Sequence, residues 1–206
     1  VTIRNFVSTV FAALLITSMS SIAQAQGSAE AGQGKTTVCV ACHGQTGNDS
    51  LLPGVPKLGG QGERYLLKQL QEIKSGVRAV PLMAGMLNAM NDQDLADIAA
   101  YFSSLPLAQG AVEEEKRALG EELYRSGEAS IGVAACTACH APNGQGNASA
   151  GYPSLSGQDV GYTETQLKSF RAGERNNDEA EVMRTIAARL TDKEIAALAS
   201  YVSGVR

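Results

Sequence analysis

Cys39-Val40-Ala41-Cys42-His43 and Cys136-Thr137-Ala138-Cys139-His140 are two copies of one pattern, and together they use every cysteine and both histidines of the 206-residue chain. Two thiols two residues apart, followed at once by an imidazole, suit covalent attachment of a porphyrin. The thiols close thioethers, and the imidazole reaches the iron from the same side. Two such motifs point to iron redox chemistry at two centres. Zinc is the rival, because thiolate and imidazole bind it as well, but each copy offers only three ligands on a short turn. No further Cys or His exists to complete a four-coordinate site. A disulfide within either close pair is a poor structural staple, even in an oxidising compartment.

The group opposite each histidine decides whether the iron carries electrons or activates a substrate. Neither centre has a second histidine to use, and methionine, whose thioether raises the potential of haem iron, is the remaining candidate. The chain has five methionines. Met19 lies in the leader described below, and the second half then holds Met183 alone. In the first half Met83 matches Met183 when the repeats are aligned on their last helices. Met86 is the alternative if the local backbone sets the register; otherwise Met86 and Met90 read as adaptable core fillers. The site read in this way has Cys39, Cys42, Cys136 and Cys139 as thioether sulfurs of two haem c groups. His43, Met83, His140 and Met183 are the axial ligands. Pro56 and Pro153 stand equally far beyond the two histidines. Two readings of them are equally good: a loop carbonyl accepting the His Nδ1–H, or a stiffened turn.

With both axial positions filled, the expectation is an electron-transfer protein and not an enzyme. A peroxidase-like di-haem enzyme needs an open iron and a polar group to move protons, and no third histidine is present to do so. A haem subunit of a membrane dehydrogenase is a further alternative.

The N-terminus has the layout of an export signal: Arg4, an apolar run from Phe6 to Ile16, then Ala23-Gln24-Ala25. Cleavage after Ala25 and a periplasmic location are expected. The run is shorter than the ~20 apolar residues that span a bilayer, so no transmembrane segment is expected in the mature chain; peripheral membrane association stays open. The formal net charge of −4 becomes more negative when Arg4 leaves, which removes any electrostatic attraction to nucleic acid. Most of the negative excess lies in residues 109–206. The expectation is that the less acidic first domain meets one redox partner and the second domain another, in a salt-dependent way. With six Tyr, four Phe and no Trp, small domains lack large apolar bodies, and a buried porphyrin in each would supply one.

The two motifs sit in a tandem repeat. At the offset that carries His43 onto His140, Pro56, Leu58, Gly60, Gln61, Tyr65, Gln69, Leu70 and Gly76 fall on Pro153, Leu155, Gly157, Gln158, Tyr162, Gln166, Leu167 and Gly173. The second copy then gains residues around Asn176-Asn177-Asp178, and the new register pairs Met83, Asp92, Ala99 and Tyr101 with Met183, Asp192, Ala199 and Tyr201. Each copy ends in an amphipathic helix. Thr191 to Glu194 form a capping box, with Ile195, Leu198, Ala199 and Val202 on one face. Asn91 with Asp94 is a weaker cap for Leu95, Ile98, Ala99 and Phe102. Earlier helices are expected from Glu63 to Lys74 and from Tyr162 to Arg171. The Gly-, Pro- and Ser-rich stretches 44–62 and 141–161 read as loops around a cofactor, and no segment alternates like a strand. The division expected is a first domain over 26–106, a linker over 107–113 whose acidic run opens a helix, and a second domain over 114–206.

These features resemble the cytochrome c4 family of di-haem electron carriers. The resemblance is carried by Ala31-Gly32-Gln33-Gly34-Lys35, by Gly60-Gln61-Gly62-Glu63-Arg64-Tyr65-Leu66-Leu67-Lys68-Gln69-Leu70, by Asp92 to Phe102, and by Cys139-His140-Ala141-Pro142-Asn143-Gly144. It implies an all-α fold of two tandem class I cytochrome c domains, each wrapped around one haem. It further implies His/Met ligation, haems facing each other near the domain interface, a quinol-oxidising respiratory complex as donor and a terminal oxidase as acceptor. Tyr65, Tyr162, Arg64, Arg78 and Arg175 read either as propionate contacts at that interface or as ordinary packing and surface residues.

Overall fold

A computed structural model describes residues 26–50 and 52–206; the expected leader, 1–25, lies outside them. Among the described residues the chain is helical. The first domain contains α1 (Ala29–Gln33), α2 (Thr37–His43), α3 (Glu63–Ser75) and α4 (Asp92–Ser104). The second contains α5 (Glu114–Ser126), α6 (Thr137–His140), α7 (Val160–Ala172), α8 (Val182–Ala187) and α9 (Asp192–Gly204). The only extended pairings among the described residues are the single bridges Glu128 to Val133 and Asn147 to Tyr152.

The last helix of each domain is fixed at its start and buried along one face. Thr191 accepts from the Glu194 N–H at 3.3 Å, and the Glu194 carboxylate accepts from the Thr191 N–H at 2.7 Å. Asn91 and Asp94 form the same reciprocal pair at 2.9 Å in both directions. That cap is complete, because an Asp one methylene shorter than Glu still reaches back to the cap N–H. The expected faces, Leu95, Ile98, Ala99 and Phe102 on α4 and Ile195, Leu198, Ala199 and Val202 on α9, are all buried. Each large side chain among them contributes about 1.5–3 kcal/mol by leaving water.

Helices α3 and α7 pack on α4 and α9, and so do α1 and α5. The second pair of contacts passes over glycine. A Cβ on Gly32 would stand 2.0 Å from the Asp97 carbonyl oxygen, and one on Gly120 would stand 2.4 Å from that of Ala197. Asp97 and Ala197 are equivalent in the repeat, but Gly32 and Gly120 do not share its offset, because the second copy has a longer connection before its haem motif. Tyr124 and Tyr201 close the second core at a ring separation of 5.4 Å. In the first domain an ion pair adds to the crossing: Lys35 Nζ lies 2.7 Å from Asp97 and 2.6 Å from Asp94.

Candidate haem centres

Each C-x-x-C-H motif occupies a helical turn, with its histidine as the last residue of α2 or α6. The four thiols are half-buried and unbridged, while His43 and His140 are only 7% and 6% exposed. The next loop returns over the imidazole. It is held by Leu58 N–H on the Gly47 carbonyl and by Leu155 N–H on the Gly144 carbonyl, both at 2.7 Å. This return brings the Pro56 carbonyl 2.9 Å from His43 Nδ1 and the Pro153 carbonyl 2.9 Å from His140 Nδ1. A carbonyl only accepts, so Nδ1 carries the hydrogen in both rings and the Nε2 lone pair remains for a metal. Of the two readings of the prolines, the carbonyl acceptor is the one observed.

The protonation of these groups fits a covalently held haem. Burial lowers the pKa of both imidazoles, with the proline carbonyls acting in the opposite sense, so each ring is held neutral as an iron ligand must be. Burial also pushes the Cys39 thiol up, and the Cys136 thiol to about 11. Among the described residues no three His, Cys, Asp or Glu side chains converge to hold a metal ion.

The turn leaving each histidine needs a positive φ. Gly44 supplies it at φ 77° in the first domain, and Ala141 adopts φ 65° in the second. The buried Tyr124 hydroxyl donates to the Ala141 carbonyl at 2.6 Å and holds that turn.

Met83 closes the 3-10 turn Pro81–Met83, and Met183 is the second residue of α8. Both are half-buried. The segments that carry them differ: 83–90 is a run of i to i−3 turns, whereas 182–187 is α-helical and entered through Ala180 and Glu181 at φ 52° and 58°. They converge before the capped helices. Met90 N–H reaches the Leu87 carbonyl and Leu190 N–H the Ala187 carbonyl, both at 3.1 Å, and Leu87 and Ala187 are both buried. Met90 packs on the first core as expected of a filler. Met86 does not; it is 39% exposed, because the turns around it leave it on the outer side.

The domains meet through reciprocal contacts that spacing along the chain does not reveal. Gln61 and Gln158 bridge to Ser154 and Lys57 of the opposite domain. Arg78 donates to Gln69, Tyr162 and Gln166; Arg175 donates to Gln166, Tyr65 and Gln69, at 2.7–3.1 Å. Arg64 reaches the Ser149 carbonyl at 2.7 Å. Among the described residues neither Arg78 nor Arg175 has an ion-pair partner. Burial disfavours ionisation of Tyr65, but the Arg175 and Arg78 guanidiniums outweigh it and hold that phenol below its usual range. Both guanidiniums are half-buried and donate to neutral amide and phenol oxygens.

The sequence profile of the cytochrome c family matches residues 29–106 and 118–206. The chain is 51% identical over 202 residues to cytochrome c4 of Azotobacter vinelandii, covering 93% of this chain and 96% of that one. It is 34% identical to a thiosulfate dehydrogenase electron acceptor of Thiomonas intermedia, covering 80% and 77%. The crystal structure of reduced recombinant cytochrome c4 from Pseudomonas stutzeri superposes with a TM-score of 0.85 at 53% identity, covering 87% of this chain and all of that one. With two haem-binding turns, two matching all-α domains and this likeness over most of its length, the chain belongs to the cytochrome c4 family of di-haem electron carriers and holds two covalent haem c groups.

Proposed function

We infer that the protein is a periplasmic relay. It takes single electrons from a respiratory donor, a quinol-oxidising complex or a dehydrogenase, and passes them to a terminal oxidase or another acceptor. The observation that carries this reading is the equivalence of the two centres. Each has a neutral buried imidazole oriented by a proline carbonyl at 2.9 Å and a methionine at the same step before a capped helix. His43 with Met83 and His140 with Met183 would hold the two irons, and Cys39, Cys42, Cys136 and Cys139 would carry the thioethers. The domains divide as 26–106 and 114–206, joined by 107–113.

When bound, each haem supplies a one-electron iron couple. The chain would supply both protein ligands of each iron, so a change of oxidation state would need no ligand exchange and little rearrangement of the protein. Arg78 and Arg175, with Tyr65 and Tyr162 beside them in the domain interface, would balance the charge of the haem propionates. No helix among the described residues is long and apolar enough to cross a membrane, which is compatible with a carrier that visits its partners.

The test is a haem count with optical and paramagnetic resonance spectra of the oxidised protein. Two low-spin haems per chain with sulfur-to-iron absorption, and no rapid uptake of carbon monoxide when reduced, are expected. One high-spin centre would move the reading to a peroxidase-like enzyme. The likeness to a thiosulfate dehydrogenase electron acceptor favours a dehydrogenase among the donors. Comparing reduction rates with a purified thiosulfate dehydrogenase and with quinol-oxidising membranes separates the two sources.

A further inference from the structure

The peptide group joining Pro56 to Lys57 is used from both sides. Its carbonyl accepts from His43 Nδ1 at 2.9 Å, and its N–H donates at 2.8 Å to Gln158 Oε1, which belongs to the other domain. The peptide joining Pro153 to Ser154 repeats the arrangement. Its carbonyl accepts from His140 Nδ1 at 2.9 Å, and its N–H donates at 2.7 Å to Gln61 Oε1 of the first domain. Each glutamine also donates through Nε2, Gln158 to the Lys57 carbonyl at 3.0 Å and Gln61 to the Ser154 carbonyl at 2.9 Å. The amide orientation is settled by its surroundings. Each Oε1 accepts a second N–H from its own chain neighbour, Gly62 or Asp159, at 2.9 Å, where an NH2 group could not accept. Gln61 and Gln158 are 5% and 8% exposed, so water does not compete for these bonds.

A peptide group polarises as a unit. An acceptor on its N–H draws electron density onto its carbonyl oxygen and strengthens the hydrogen bond that oxygen receives. A stronger acceptor at Nδ1 makes the imidazole a better donor at Nε2, which favours ferric over ferrous iron and lowers the potential. We propose that Gln61 and Gln158 are crossed positioning residues: each sets, through one peptide group, the proximal histidine of the opposite domain. Gln61 therefore tunes the His140 centre and Gln158 the His43 centre, so each iron reports whether the other domain is docked. This rests on the reading that His43 and His140 ligate the irons.

The experiment uses the full haem-loaded chain. Redox titration is followed by NMR on the ring signals of His43 and His140 separately, with thermal unfolding recorded alongside. Gln61→Ala is expected to raise the potential of the His140 centre more than that of the His43 centre and to accelerate exchange of the His140 Nδ1 proton. Gln158→Ala is expected to do the reverse. Gln61→Glu keeps an oxygen towards the Ser154 N–H and leaves the His140 centre at or below its original potential. Should an alanine variant not fold, Gln→Leu at the same position, closer in volume and without polar atoms, makes the same test. Equal shifts at both centres, a shift confined to the variant's own domain, or no shift each overturn the proposal. A wild-type spectrum lacking imidazole ligation would instead sink the ligand assignment, so the two failures are distinguishable.

Discussion

Tyr124 lies beneath the turn that leaves His140, its hydroxyl donating at 2.6 Å to the carbonyl of Ala141, a residue held at φ 65°. Burial pushes the Tyr124 phenol well above its usual pKa, so it remains a donor across the working range. A non-glycine residue in this conformation costs about 1–3 kcal/mol, and the equivalent residue of the first domain is Gly44 at φ 77°. Ala141→Gly should therefore stabilise the second domain by about 1 kcal/mol, after subtracting the added freedom of glycine in the unfolded chain. Denaturant unfolding checks it, and an unchanged or lowered midpoint would show that the turn carries no strain. Tyr124→Phe, which removes the shorter of two hydrogen bonds to the half-buried Ala141 carbonyl and leaves the Gly144 N–H at 3.1 Å, should cost about 0.5–1.5 kcal/mol in the same assay.

Met183→Ala should convert only the second centre to high spin and lower its potential, since the thioether is what raises it. Met83→Ala should do the same to the first centre, while Met86→Ala, at a position 39% exposed, should leave both spectra low-spin. A high-spin signal from the Met86 variant would reassign the first axial ligand.

Acid should weaken the first domain through a contact the second lacks. Hydrogen bonds from Lys35, the Ser28 N–H and Gln93 hold the Asp97 carboxyl down to about 2, and Lys35 also lowers Asp94. Both pKa values lie below the unfolded reference of ~3.9. Their contribution is thus complete above about pH 4 and drains away as pH falls towards 2. Amide exchange measured domain by domain should show α1 loosening from α4 across that window. Asp97→Asn should already be destabilised at neutral pH and show a flatter response. Ala197 takes the place of Asp97 in α9, so an identical acid response in both domains would contradict the assignment.

Gly120→Ala should separate α5 from α9. Its Cβ would meet the Ala197 carbonyl oxygen at 2.4 Å and the Tyr201 Cβ at 2.6 Å, both parts of a packed helix with little room to yield. A loss of about 1–3 kcal/mol is expected from overpacking, read as a lower unfolding midpoint of the second domain with its haem retained. Gly34, whose added Cβ would come no nearer than 3.9 Å to another atom, is the control position and should tolerate alanine.

The haem turns, the last helix of each domain and the duplication were readable along the chain, because each rests on residues a few positions apart: C-x-x-C-H, Thr191 with Glu194, and apolar residues three and four apart on α4 and α9. The pairing of α1 with α4 and of α5 with α9 was not, because Gly32 and Gly120 fall outside the shared offset and a glycine declares a close approach only once its neighbour is in place. The helix start at Glu114 was visible from charge, whereas the strained Ala141 looked like any other alanine. The bonds from Gln61 to Ser154 and from Gln158 to Lys57 span 93 and 101 residues of sequence. No local rule governs contacts at that range; they exist because two folded loops, each already bent over its own histidine, present their outer peptide edges to each other when the domains dock.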